Sequence, residues 1–355
     1  MHTFNDIAIP ISWPDQTARG DERWMAYLKR IGIVKNLNFK VGHAAILLID
    51  SKSGEILYFD FGRYLVPRGF GRARSARFDP RLRLSTRAHL NGTKEIHNIE
   101  EILDELFQKE TATHGGGRLL FSVCRGVSFQ KGAAYAEKLV SEGPIPYGAF
   151  ATDNNSCSRF VAQVLAQAMD STDRRRQRIC YPECMKPSPT SNVVNAAESA
   201  QVFCYHEHRL EVWHMRRRDS LRFQFGLLKQ NFSKKYAALL GDDVTAGMVA
   251  CPERKPLIPA TAQWLGGLGE GAWLHIAKKT QSQYLISKYS ADGDLQYTIE
   301  TLCIQHFHID RPYSFTYHFS HTHYTILQED NLFIFKWKES SAIEFNNQDK
   351  IKAIS

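Results

Sequence analysis

The chain has no apolar run approaching the roughly 18 residues that a membrane span needs. Its opening, Met1-His2-Thr3-Phe4-Asn5-Asp6, lacks the basic and apolar regions of a secretory signal, so a cytoplasmic protein is expected. Cysteine is scarce and odd in number, seven in 355 residues, which does not suit a disulfide framework. Cys180 and Cys184 are the closest pair, but no second pair completes a zinc motif, and reduced thiols are expected. No internal repeat is visible. His206-Glu207-His208 lacks the five-residue frame of a His-Glu-x-x-His metalloprotease motif. Five more histidines fall between 306 and 323 (His306, His308, His318, His321 and His323). His-x-His on a strand would put two imidazoles on one face, but no acid or cysteine stands at a matching position. They read as an aromatic, half-exposed sheet face. No metal or cofactor is expected.

What is present is a globular composition, 43% hydrophobic and 23% charged, long enough for two domains. The formal charge is +8, and much of it sits in one stretch. Between Arg63 and Arg87 eight arginines (63, 68, 72, 74, 77, 81, 83 and 87) face the single acid Asp79. A solvated strand face accounts for them. A basic rim that recruits an anionic substrate is the sharper reading, and no nucleic-acid-binding motif accompanies the charge.

Hydrophobic periodicity then orders the chain. A helix is expected around Asp21 to Arg30, carrying Trp24, Met25 and Leu28. Residues 43 to 49 are apolar on both faces, Ser51-Lys52-Ser53-Gly54 makes a turn, and Ile56 to Phe61 returns, so the pair reads as a β-hairpin. Arg81 to Ala88 alternates like an edge strand. A helix from about Asn98 to Gln108, a strand at Leu119 to Cys124, and a helix from Ser128 to about Ser141 with Gly143 past its end follow. Residues 171 to 198 read as a long loop, 205 to 240 as basic helix, and Gly241 to Ala260 as a linker. From Trp264 onward short strands and turns, including Asp292-Gly293, describe a small all-β domain. The expected domains are thus 1–200, a helical connector over 201–260, and 261–355.

Two segments carry chemistry. Cys157 lies in Asn154-Asn155-Ser156-Cys157-Ser158-Arg159-Phe160-Val161, at the start of a helix that runs to about Met169. The positive end of a helix dipole favours a thiolate there, and the free amides of the first turn are donors for an oxyanion. Asn154 or Asn155 is the expected cap. Phe160, Val161, Val164, Leu165 and Ala168 form the apolar face, and Cys157 falls on it, so the thiol should point at the sheet. His43 opens the buried strand Val41-Gly42-His43-Ala44-Ala45-Ile46-Leu47-Leu48-Ile49-Asp50. An imidazole there can take the thiol proton and return it to a leaving amine. A third group should orient it. The turn at 52 and 53 would pair position 43 with about 62, which puts Asp60 on the face of His43. Glu55 lies too near the turn.

The histidine strand, the hairpin ending Phe59-Asp60-Phe61-Gly62-Arg63-Tyr64 and the later Asn155-Ser156-Cys157-Ser158-Arg159-Phe160-Val161 resemble the circularly permuted papain-like fold. That group includes permuted NlpC-type cysteine peptidases and the lecithin:retinol acyltransferase-like enzymes, and a bacterial family of two-domain proteins looks similar. The resemblance covers roughly 35 to 170. It implies Cys157 as nucleophile, His43 as base and Asp60 as orienting residue. The acyltransferase branch would need a histidine where this chain has Gly54 and Glu55, and Ser156 interrupts the Asn-Cys adjacency common in these families. Tyr147, in the Pro144-Ile145-Pro146-Tyr147-Gly148 turn, would line the cleft, with Asn155 and Arg63 as further substrate-binding residues.

The fold class expected is α+β: a permuted papain-like domain, its antiparallel sheet packed on helices and its nucleophile at a helix N-terminus, then a small all-β domain. The function expected is cleavage of an amide, in a peptide or peptidoglycan-like fragment that the arginines would suit if anionic. The alternative is a non-enzymatic module that uses the arginine stretch and the β domain to bind an anionic ligand or partner. No membrane partner is expected, nucleic-acid binding through the basic surface is the least favoured reading, and the oligomeric state is not encoded in any motif.

Overall fold

A computed structural model describes residues 4–20, 23–33, 37–148, 154–232, 235 and 250–338. The chain forms two compact units, one of Met1–Gly62, Ala73–Leu139 and Pro146–Asp243, the other of Arg63–Arg72, Val140–Ile145 and Val244–Ser355.

The strands of the first part of the chain are β1 (Asp6–Trp13), β2 (Thr17–Arg19), β3 (Asn38–Lys40), β4 (His43–Ile49), β5 (Ile56–Gly62), β6 (Phe70–Ser75), β7 (Leu119–Phe121), β8 (Cys124–Val127), β9 (Ile145–Pro146), β10 (Gln201–His206) and β11 (Arg209–His214). The helices are α1 (Arg23–Arg30), α2 (Ile99–Gln108), α3 (Glu110–Thr113), α4 (Phe129–Glu142), α5 (Cys157–Ala168), α6 (Arg174–Cys180), α7 (Pro189–Ala196) and α8 (Arg217–Phe232). The main sheet runs β11-β10-β7-β1-β4-β5-β6-β9, with β8 also on β1. Ile7, Ile9, Ile11 and Trp13 alternate with the other face of β1, and together with Ala45, Leu47, Ile49 and Tyr58 they pack on Ile102, Leu103 and Leu106 of α2. Helices α4, α5 and α7 serve the opposite face. A Cβ on Gly132 of α4 would lie 2.9 Å from Leu48 and 3.1 Å from Ala168, so glycine is what lets α4 come so near β4 and α5.

Three expectations are corrected in this unit. Residues 171 to 198 are not a loop but hold α6 and α7. Pro189-Thr190-Ser191-Asn192-Val193-Val194-Asn195-Ala196 has no apolar stripe, yet every residue is buried, and most of its polar side-chain groups are bonded inside. Ser12 and Thr190 hydroxyls pair at 3.4 Å, and Ser122 donates to the Val193 carbonyl at 2.7 Å. The connector expected over 201–260 does not begin as helix: β10 and β11 form a hairpin on the main sheet, and α8 starts only at Arg217. Arg81 to Ala88 is not a strand. The carboxylate of Glu105 takes the amides of Ser85 and Thr86 at 2.7 and 2.8 Å, replacing a ladder partner. Asp21 and residues 241–249 lie outside the described residues.

The second unit is all-β and antiparallel: β12 (Gln263–Leu265), β13 (Ala272–Lys278), β14 (Gln283–Tyr289), β15 (Leu295–Leu302), β16 (Ser314–Phe315), β17 (His323–Gln328) and β18 (Asn331–Trp337), in the order β12-β13-β14-β15-β18-β17-β16. The two outer strands meet through one side chain. Gln263 donates to the Tyr313 carbonyl at 2.7 Å and accepts from the Phe315 amide at 2.9 Å, so the sheet nearly closes into a barrel. His306 and His308 fall outside the strands, and among the described residues no group of His, Cys, Asp and Glu could hold a metal.

Candidate active site

The imidazole of His43 is set by the backbone before it. Gly42 has φ +79, and a Cβ there would lie 3.0 Å from the Trp13 carbonyl, so only glycine turns the chain into β4 at this point. Trp13 is opposite His43 in the β1–β4 register, and the two rings stack at 5.7 Å with a 10° tilt. On the other neighbour Ala45 pairs with Asp60, which continues to 43 opposite 62. This is the register the turn implied, and it puts Tyr58 and Asp60 on the face of His43. His43 Nε2 lies 3.5 Å from Asp60 Oδ2, and the same imidazole bonds the thiol of Cys157.

Helix α5 presents that thiol. Its N-cap is Ser156, whose hydroxyl accepts from the Arg159 amide at 3.3 Å, rather than Asn154 or Asn155. Asn155 is already committed: its Oδ1 accepts from the Ser156 amide at 2.9 Å and its Nδ2 donates to Gln163 at 3.1 Å. The residue that interrupts Asn-Cys adjacency thus has a job of its own. Asn192 of α7 donates to the Ser158 carbonyl at 2.7 Å and fixes the first turn from the side.

Electrostatics follow from these contacts. Burial works against the His43 imidazolium, but the bonds to Asp60 and Cys157 outweigh it and raise His43 to about 9. Burial likewise works against the Cys157 thiolate, and the His43 bond and charge, the Ser158 hydroxyl and the Ala44 amide overrule it and hold the thiol below its ordinary 9.0. For Asp60, burial is overcome by the charge of Arg74 and by the bonds of His43 and Arg74, which hold the carboxyl below its usual range. The other buried thiols go the opposite way: burial pushes Cys124 up to about 12 and Cys204 up to about 11. A thiolate–imidazolium pair at a helix N-terminus can attack a carbonyl and then supply a proton to the departing group.

His43, Asp60, Cys157, Asn155 and Tyr147 all belong to the first unit. Tyr147 pairs with Asn155 in a short parallel bridge and stacks on Phe61 at 6.0 Å, just ahead of α5. Asn155 is 5% exposed, which makes it a brace of the helix start. Arg63 belongs to the second unit, is buried, and accepts the Gly269 amide on its carbonyl at 2.8 Å. The arginine stretch is therefore not one solvated face: Arg63, Arg72 and Arg74 are buried, and Arg81 is bound to Asp79. Arg74, Tyr58, Trp13 and Ser156 hold places around His43 and Cys157 that the sequence did not assign to them. Only Ser156 had a signal, a serine directly before the helix.

Residues 8–174 match a family described as type VI secretion system effector TseH-like. Residues 262–338 match the DUF6695 C-terminal domain. Among solved structures, the crystal structure of the type VI secretion system effector TseH is similar at 21% identity, over 59% of this chain and 97% of that one, with a TM-score of 0.39. No curated protein matches. Among the described residues no helix is long and apolar enough to cross a membrane.

Proposed function

We propose that the first unit is a cysteine hydrolase that cleaves an amide bond in a peptide or peptidoglycan-like fragment, on a permuted papain-like arrangement in which the histidine strand precedes the cysteine helix. The observation that carries this is His43, bonded on one side to Asp60 and on the other to a thiol held below its ordinary pKa. The match of residues 8–174 to the TseH-like effector family supports it.

In this mechanism the Cys157 thiolate adds to the amide carbon. The oxyanion formed there faces the first-turn amides of Cys157 and Ser158, the Arg159 amide being held by Ser156. The imidazolium of His43 gives its proton to the nitrogen as the C–N bond breaks, leaving a thioester and a free amine. A water then adds to the thioester while His43 takes its proton. Collapse releases the carboxylic acid and returns the thiolate. Asp60 keeps the imidazole in place throughout and balances its charge.

The test is to incubate the full chain with soluble peptidoglycan fragments and short peptides, then follow new amine and carboxylate ends by mass spectrometry. Cleavage that vanishes in Cys157→Ala and His43→Ala supports the reading. Cleavage that persists in both, or its absence together with a Cys157 that titrates like an ordinary thiol, overturns it.

A further inference from the structure

Asp60 is gripped from the side away from His43. Arg74 Nε donates to Asp60 Oδ1 at 2.9 Å and Arg74 Nη2 to Oδ2 at 2.5 Å, a two-pronged guanidinium–carboxylate pair, and the Tyr58 hydroxyl donates to Oδ2 at 3.0 Å. Both charged side chains have no exposed surface. Arg74 Nη1 stands 3.8 Å from Asp79 Oδ2, and Asp79 is in turn bonded by Arg81. The charged groups around Asp60 are therefore His43 from β4, Arg74 from β6, Asp79 and Arg81 from the segment after it, and Cys157 from α5. With the thiol ionised they alternate in sign, and the chain of six is neutral.

We infer that Arg74 is a positioning residue for the site: its fork aims the Asp60 carboxylate at His43, and its charge lets this buried cluster hold Cys157 as a thiolate. The inference rests on the hydrolase reading. Its physical basis is that a buried cluster resists net charge. Take away the guanidinium, and thiolate, imidazolium and carboxylate together carry one excess negative charge. One acid must then keep its proton. A carboxylic acid is the stronger acid by about five units, so Asp60 keeps its charge and the thiol is the group that stays protonated. A guanidinium also fixes the carboxylate plane in a way a lysine ammonium does not, so charge and aim are separable.

The experiment measures the rate of Cys157 alkylation by iodoacetamide, peptide by peptide, from pH 4 to 9, in the full chain. In Arg74→Gln the acid limb is expected to rise by about one unit or more, so that alkylation at pH 6 slows by about tenfold or more. Arg74→Lys, which restores the charge, is expected to alkylate within about threefold of wild type. Its amide cleavage should still fall, because the aim of Asp60 is lost. A merely structural contact would leave the acid limb in place in both variants. An Arg74→Gln profile that superimposes on wild type overturns the inference, and so does an Arg74→Lys profile that matches Arg74→Gln. Should Arg74→Gln fail to fold, Asp60→Asn/Arg74→Gln removes both charges and keeps the cluster neutral. Its acid limb should return to that of wild type, and an ordinary thiol titration there overturns the inference. If wild-type Cys157 itself titrates as an ordinary thiol, the hydrolase reading fails first. A low wild-type limb that Arg74→Gln does not move removes only the role of Arg74.

Discussion

Each unit of this protein buries an ion pair, and the two pairs differ in what lies at their ends. In the second unit Lys288 Nζ meets Glu270 Oε1 at 3.2 Å, with the ammonium 5.6 Å from the Tyr297 ring. Both side chains are almost wholly enclosed. In the first unit Asp60 and Arg74 are enclosed as completely, but the carboxylate also reaches an imidazole that keeps 12% of its side chain exposed and touches a thiol. Burying charge costs several kcal/mol per ion, and a pair recovers that only with good geometry. A pair sealed at both ends stabilises or specifies a fold. A pair that ends on an imidazole bonded to a thiol also transmits charge to it, so it should show itself in the reactivity of the thiol as well as in stability.

The largest expected effect breaks the chemical end. Asp60→Asn should lower amide cleavage by about 10²- to 10⁴-fold, the range of an acid–base group that loses its partner. It should also change the pH dependence. His43 is raised to about 9 in the fold by Asp60 and Cys157, so its bonds stabilise fully below the ordinary 6.5 and are lost as pH rises through about 9. In Asp60→Asn that loss should come at lower pH. A denaturant titration between pH 6 and 10 with an unchanged alkaline limb would count against the contact. The next effect breaks the sealed pair. Lys288→Met leaves Glu270 buried without its ammonium and should cost about 3–5 kcal/mol, while Lys288→Met/Glu270→Gln recovers most of it. Neither variant should alter the pH at which Cys157 alkylates, and a shift there would erase the distinction between the two pairs. The smallest effect trims the helix start. Ser156→Ala removes the cap of α5 and should cost about 1 kcal/mol. With the first turn frayed, the Cys157 acid limb should move up by a few tenths of a unit, whereas the same change at Ser188, the cap of α7, should leave it unmoved.

Where the sequence misled, a partner outside the local segment or a place at the sheet edge changed the meaning of a local pattern. Arginines at 72 and 74 look like a wet strand face until the carboxylate of Asp60 and the carbonyls of Tyr317 and Phe319 are placed beside them. α7 looks like a loop because its polar side chains imply water. Inside the fold they find Ser12, Ser158 and Glu183 instead. The segment from 205 reads as basic helix, but its start pairs as β10 and β11, where β11 is an outer strand with most residues exposed.

The sequence by itself determined the parts whose physics is short-range. A strand apolar on both faces must be buried, a four-residue turn fixes the register of its hairpin, and a cysteine that opens an amphipathic helix must face the sheet. Those rules bring His43 and Cys157 to facing elements, and the register the strands adopt puts Asp60 beside His43. Only the tertiary structure decided what surrounds them, because the neutrality of a buried cluster depends on charges that the fold brings together. Arg74 is 14 residues from Asp60 and Cys157 is 114 from His43. No local pattern says that the first should hold the carboxylate whose imidazole holds the thiol.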